Sequence, residues 1–178
     1  MKGRLALFID AANLNIGLRR YNKSVDFKRL VRFFRKQSKK AMLFYYTYNY
    51  PNDKRHQKFL AFLKSQGFRL RTKQVKIIRD KKKGEERKAN FDVEIAIDAV
   101  DKQNLYDTIV LFSGDSDFAA LIDYLKSKNK QTIICSTRRN ISKELWERGN
   151  FIDILVIKEI LRPYKNATSH VKRGSGNQ

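Results

Sequence analysis

Residues 110–125 read VLFSGDSDFAALIDYL. An apolar run breaks at Ser113-Gly114-Asp115, and apolar residues return at Phe118, Leu121, Ile122 and Leu125 with helical spacing. The block therefore predicts a buried strand over 107–112, a tight polar turn, and a helix with one apolar face. The same alternation continues outward. Toward the C-terminus, QTIIC (131–135) is strand-like, 140–149 helical, and IDILVI (152–157) a last short strand. Toward the N-terminus a helix is predicted at about 92–103, preceded by RDKKKGEERKAN (79–90), read as an exposed loop. Residues 68–78 alternate as a strand with one solvated face. Pro51 and Asp53 open a helix whose buried face would be Phe59, Phe62 and Leu63, ended by Gly67. Residues 41–49 form an aromatic strand, and Asp26 opens a helix carrying Phe27, Leu30, Val31 and Phe34. A loop and short helix occupy 11–21, and RLALFI (4–9) is a buried strand ending at Asp10.

Short apolar strands alternating with amphipathic helices predict an α/β fold of three layers, α/β/α, around a mainly parallel central sheet. The 178 residues suit one domain over 1–162, with a basic, polar tail at 163–178 expected to be mobile. In such sheets ligands bind beyond the carboxyl ends of the strands.

Charge narrows the partner. Lys+Arg number 39 against 18 Asp+Glu, a formal +21, far more than solubility requires. An excess that repels itself implies a polyanionic partner, nucleic acid first. No apolar run approaches the roughly 20 residues of a spanning helix, and the apolar stretch of MKGRLALFID is too short for a signal peptide. The single cysteine, Cys135, excludes an internal disulfide and fits a cytoplasmic setting. With only His56 and His170 besides, a structural zinc site is disfavoured. A metal here would be held by carboxylates.

Acids are scarce, so their places carry information. Asp10 ends the first strand, Asp115 and Asp117 follow the strand 107–112, and Asp92 begins a helix. The strand-end rule brings them to one edge. Converging carboxylates in a +21 chain make a site for Mg²⁺ or Mn²⁺, which prefer oxygen ligands and suit phosphodiester hydrolysis. Asp92 or Asp115 alone would be explained as a helix cap. Asp10, closing a buried apolar strand, is costly without a partner, and Asp117 adds a carboxylate where one cap suffices. Asp98 is either a supporting group or an ordinary surface acid. Asp26, Asp53 and Asp107 are read as caps or loop residues.

The segments LFIDAANL (7–14), KANFDVEIAIDAV (88–100), VLFSGDSDFAALIDYL (110–125) and FIDI (151–154) together resemble the NYN domain family of PIN-like nucleases, in its LabA or DUF88 branch. The resemblance implies a PIN-like, Rossmann-like fold and a metal-dependent ribonuclease. Asp10, Asp92, Asp115 and Asp117 would be the metal-binding set, with Asp98 matching a recurrent acid. Asn13 would be a polar helper near the metal or scissile phosphate, and Ser113 and Gly114 would shape the turn presenting Asp115. Ser113 would also touch a phosphate or a metal-bound water. The products would carry a 5′-phosphate and a 3′-hydroxyl. Asn90-Phe91 stands where the family often has Gly-Val.

Residues 19–40 hold ten Lys/Arg against one acid, and 54–88 hold fourteen against three. Lys88, Arg138 and Arg139 are the basic residues expected nearest the acids, as contacts to RNA phosphates. Tyr45, Tyr46, Tyr48 and Tyr50 are candidates for stacking unpaired bases, with core or cross-sheet packing favoured for Tyr46 and Tyr48. The expected partner is RNA, single-stranded or structured, with no membrane; a homodimer is left open. The rivals are an RNA-binding or scaffold protein with a vestigial site, and a structure-specific DNA nuclease, which lacks its long helical arch here. A haloacid-dehalogenase-type phosphatase fails because Ala12 stands where its second Asp belongs, and a receiver domain fails because 41–50 has no Asp.

Overall fold

Strand β1 (Arg4–Asp10) lies at the middle of the sheet, and its residues 5–9 are almost wholly inaccessible to solvent. A computed structural model of the protein describes residues 3–74, 76–80, 84–88 and 90–164, with side chains for all of these except 76–80 and 84–88. The chain continues from β1 through α1 (Ala11–Arg19), β2 (Lys23–Val25), α2 (Phe27–Lys36), β3 (Lys40–Asn49), α3 (Lys54–Ser65) and β4 (Phe68–Gln74). After β5 (Lys76–Asp80) and β6 (Gly84–Lys88) come α4 (Asp92–Asp101), β7 (Thr108–Phe112), α5 (Ala119–Ser127), β8 (Gln131–Ser136), α6 (Lys143–Arg148), β9 (Asn150–Asp153) and β10 (Leu161–Pro163).

The central sheet has the order β4-β3-β1-β7-β8-β9, and every pairing in it is parallel. From β1 the chain first builds outward to β4, then returns to β7 on the other side of β1. The switch point therefore falls between β1 and β7, where a doubly wound sheet opens its crevice. Period-two alternation divides the core. Leu5, Leu7 and Ile9 of β1 face α1, α2 and α3, whereas Ala6 and Phe8 face α4, α5 and α6. Phe8 stacks on Phe44 of β3 with ring centroids 4.7 Å apart.

Local chemistry accounts for the helix starts. Asp26 caps α2 by accepting the Arg29 N–H, and Asp53 caps α3 by accepting from Arg55 and His56. Asp107 instead forms an ion pair with Arg4 at 2.7 Å. Four details differ from the sequence expectations. The single strand expected over 68–78 is divided into β4 and the start of β5, and the stretch read as a loop at 79–90 holds the end of β5 and all of β6, which pair as an antiparallel ribbon; the polar composition of 79–90 hides it because its backbone pairs internally. The last strand stops at Asp153, whose side chain accepts the Leu155 N–H and turns Ile154–Val156 into a 3₁₀ turn. Phe62 is exposed, and Leu60 and Leu63 form the buried face of α3 with Phe59 packed against it. A two-stranded antiparallel sheet, too short to leave a periodic signal, pairs β10 with β2. Of the tail expected at 163–178, Pro163 ends β10 and Tyr164 follows it, and residues 165–178 lie outside the described residues.

Helix α4 is fastened to the edge of the sheet by charge. The buried Asp98 carboxylate accepts Arg71 Nε and Nη2 at 2.9 and 2.8 Å, Lys102 Nζ at 2.8 Å and the Tyr46 hydroxyl at 2.9 Å. One turn earlier, Lys73 pairs with Glu94 at 2.6 Å. Burial alone would raise the Asp98 carboxyl, but its hydrogen bonds from Arg71, Lys102 and Tyr46 hold it at about 2. A depressed carboxyl adds stability that is fully present above its ordinary value near 4 and is lost as pH falls toward 2. Asp98→Ala is therefore expected to cost about 2–4 kcal/mol at pH 7, below the full cost of breaking a buried pair because Arg71 stays half exposed. In urea melts the gap from wild type should narrow between pH 4 and pH 2.5.

Candidate functional site

Asp10 and Asp115 lie beyond the carboxyl ends of β1 and β7, and Asp92 at the start of α4 is close enough to feel the charges of Asp10, Asp115 and Asp117. Asp10 is the last residue of β1 and caps α1, its Oδ1 accepting the N–H groups of Ala12 (3.0 Å) and Asn13 (3.2 Å). Asp115 follows β7 and accepts the Asp117 N–H at 3.2 Å, opening the 3₁₀ turn Ser116–Phe118. Asp92 is the first residue of α4, where Phe91 occupies the cap position without a side-chain bond. Asp92 is thus not the cap that the simplest sequence explanation would make it.

Electrostatics tie the four together. Burial, then the charge of Asp115, pushes the Asp10 carboxyl up, opposed by the N–H groups of Asn13 and Ala12 and by the Ser113 hydroxyl. The Asp92 carboxyl is pushed up to about 6, first by burial and then by the charges of Asp115, Asp10 and Asp117, while Lys73 pulls it down. The acids therefore repel one another in a partly desolvated crevice. Their donor chemistry fits a hard divalent cation. Among the described residues no three His, Cys, Asp or Glu side chains form a ready-made cluster for an ion. Mg²⁺ in general keeps several waters and uses one or two carboxylates together with substrate phosphate.

The turn that presents Asp115 is clamped from three sides. Asn13 Oδ1 accepts the Gly114 N–H at 2.8 Å and the Asn140 Nδ2 at 2.6 Å. The Gly114 carbonyl accepts the Ser142 N–H at 2.8 Å. A Cβ at Gly114 would stand 2.0 Å from the Asn140 carbonyl oxygen, so the close approach of the two loops requires glycine. Asn13, expected as a polar helper at the reacting atoms, is here a positioning residue that ties α1 to the β7–α5 turn.

The other sequence candidates fall differently. Asp98 lies in the ion-pair network of α4, so its provisional place in the metal set is corrected: two cations and a tyrosine hydroxyl already occupy its oxygens. Ser113 is buried and its Oγ accepts the Asp115 N–H at 3.3 Å, which replaces the expected phosphate contact with support of the turn. Arg138 and Arg139 are exposed on the loop after β8, the loop that Asn140 joins to Asn13. Arg138 leans toward Asp153 at 3.6 Å and lies over Trp146. Lys88 ends β6 opposite Lys76, and its side chain lies outside the described residues. The basic block at 19–40 becomes the exposed face of α2, where Lys28, Arg29, Arg32, Arg35 and Lys36 border two shallow grooves. Sequence reasoning missed Asn140 and Lys73. Each acts across distant chain segments, so no local pattern announces it.

Comparison with known proteins bears on the family and the fold. The family model described as NYN domain matches residues 4–155. The low amplitude and bright protein LabA of Synechococcus elongatus is 34% identical over 162 residues, covering 89% of this chain and 87% of the relative. A Vibrio parahaemolyticus protein of unknown function has a crystal structure that superposes with a TM-score of 0.73 at 23% identity. That match covers 90% of this chain and 96% of the other, and at such identity shows a shared fold.

The repulsion among the acids has a pH signature. A carboxyl raised to about 6 binds its proton more tightly in the folded state, so it lowers stability as pH climbs from about 4 to 6. In chelator at pH 7.5, Asp92→Asn should melt about 2–4 °C above wild type, the shift expected for about 1 kcal/mol in a domain of this size. The difference should close at pH 4.5.

Proposed function

This chain belongs to the NYN domain family, whose members are generally nucleases, and from that premise we propose that it is a metal-dependent endoribonuclease. The observation that carries the proposal is that, beyond the effect of burial, the Asp92 carboxyl is raised by the charges of Asp115, Asp10 and Asp117, and that of Asp10 by the charge of Asp115, at the switch point of a +21 chain. Carboxylates assembled against their own repulsion, beside a surface that attracts polyanions, make chemical sense when a divalent cation joins them.

Asp10, at the end of β1, and Asp115, in the turn that follows β7, would hold Mg²⁺ or Mn²⁺, with Asp92 and Asp117 completing the carboxylate set. When bound, the ion supplies a nucleophilic water at neutral pH and neutralises charge developing on the phosphate. The protein's own part is orientation. Backbone N–H groups of Ala12 and Asn13 hold the Asp10 carboxylate, and the Asn13–Gly114 bond fixes Asp115 relative to it. The exposed cations of α2 and the loop after β8, Arg139 among them, would draw in the RNA backbone. No described helix is long and apolar enough to cross a membrane, and a cytoplasmic setting fits the lone, buried Cys135.

A second possibility, RNA binding without cleavage, draws on one observation: the described carboxylates do not by themselves form a closed ion cage. Cleavage decides between them. Labelled RNA and single-stranded DNA are incubated with wild type and Asp115→Asn, in Mn²⁺ and in chelator. Wild type should cut RNA in Mn²⁺ alone, leaving 5′-phosphate ends, and Asp115→Asn should be at least 100-fold slower. Equal cutting by the variant, or none by wild type, would remove the enzyme assignment.

A further inference from the structure

Beside the acids, over the carboxyl end of β3, lies a cavity of about 270 Å³. Ala11 and Ala12, which directly follow Asp10, line one side of it, and Phe91, which directly precedes Asp92, lines another. The cavity therefore adjoins two of the four carboxylates through their chain neighbours. Its volume falls just below the roughly 300–1,000 Å³ of sites for drug-sized ligands, so it suits one planar ring system.

Its lining has two chemistries. One is a curved run of rings. Phe91 and Tyr48 have centroids 6.0 Å apart, Tyr48 and Tyr50 6.3 Å, and Tyr50 and His56 5.1 Å. Tyr50 is the most open of these tyrosines, at 37% exposure, whereas Tyr45 and Tyr46 are buried as part of the core. The other is a polar edge. Asn15 and Arg19 come from the exposed side of α1. His56 Nε2 lies 2.8 Å from the Tyr48 carbonyl, to which it donates in the tautomer that makes Nδ1 an acceptor. Among the described residues no carboxylate lines the cavity. Aromatic faces with an amide, an imidazole and one guanidinium at the rim match an unpaired base on a negatively charged strand.

We propose that this cavity receives one unpaired nucleobase of the bound strand, stacked against Tyr50 beside the acidic centre. The inference rests on the RNA assignment above and adds to it a substrate requirement: a strand splayed open next to the scissile phosphate. A paired base cannot enter, because its edge and faces are already engaged in the helix.

Binding in chelator tests this separately from cleavage. Fluorescent ten-nucleotide RNAs, intact or carrying a single abasic residue at each position in turn, are titrated with wild type, Tyr50→Ala and Tyr50→Phe. Loss of one stacked base should weaken wild type about fivefold to tenfold or more, at one position of the strand. Tyr50→Ala should bind the intact strand that much more weakly and lose the position dependence, and Tyr50→Phe should retain it. The same position-dependent profile in Tyr50→Ala as in wild type would overturn the proposal, as would a flat profile in wild type. Because no metal is present, failure of the nuclease assignment leaves this result untouched.

Discussion

The hydrogen bond from the Gly114 N–H to Asn13 Oδ1 holds the two halves of the site together. Parallel pairing of β1 with β7 brings Asp10 and the Ser113–Asp115 turn to one edge, but sheet pairing ends at Phe112. Beyond that point the separation of the two acids depends on side chains. Asn13 accepts from Gly114 and from Asn140, so α1, the β7–α5 turn and the loop after β8 converge on one carbonyl oxygen. The missing Cβ at Gly114 lets the Asn140 backbone come close enough to complete the joint.

That joint works against the charge it organises. Asp10 and Asp92 both have carboxyls raised by burial and by neighbouring aspartates. Acids that raise one another in this way store unfavourable electrostatic energy, which a bound cation would relieve. The basic remainder of the chain offsets the same charge at longer range, and Lys73 does so locally. A few kilocalories of repulsion are tolerable because the sheet beneath is a continuous apolar core on both faces.

Much of this architecture is written in local pattern. The SGDSDF turn, the apolar strands and the amphipathic helices predict the parallel three-layer fold because strand and helix periods are set by residues close in sequence. Asp10, Asp92, Asp115 and Asp117 were visible as acids at element ends. What lay beyond reach were partners fixed by tertiary contact. Asp98 resembles a site acid in sequence, yet Arg71, 27 positions away, claims its carboxylate. Ser113 looks available for a phosphate until burial shows it supporting Asp115. Tyr50 and Phe91 lie far apart along the chain and share a cavity through the crossing from β3 to α4. The β6 half of the ribbon escaped because its polar residues pair as a strand without any apolar period.

The central claim is that these carboxylates constitute one divalent-cation centre. Calorimetric titration of Mn²⁺ into the metal-free protein at pH 7.5, compared with an Asp10→Asn/Asp115→Asn double variant, tests it most directly. Saturable binding by wild type, lost in a double variant that still folds, is the predicted result. Equal Mn²⁺ binding by both proteins, or none by wild type, would contradict it.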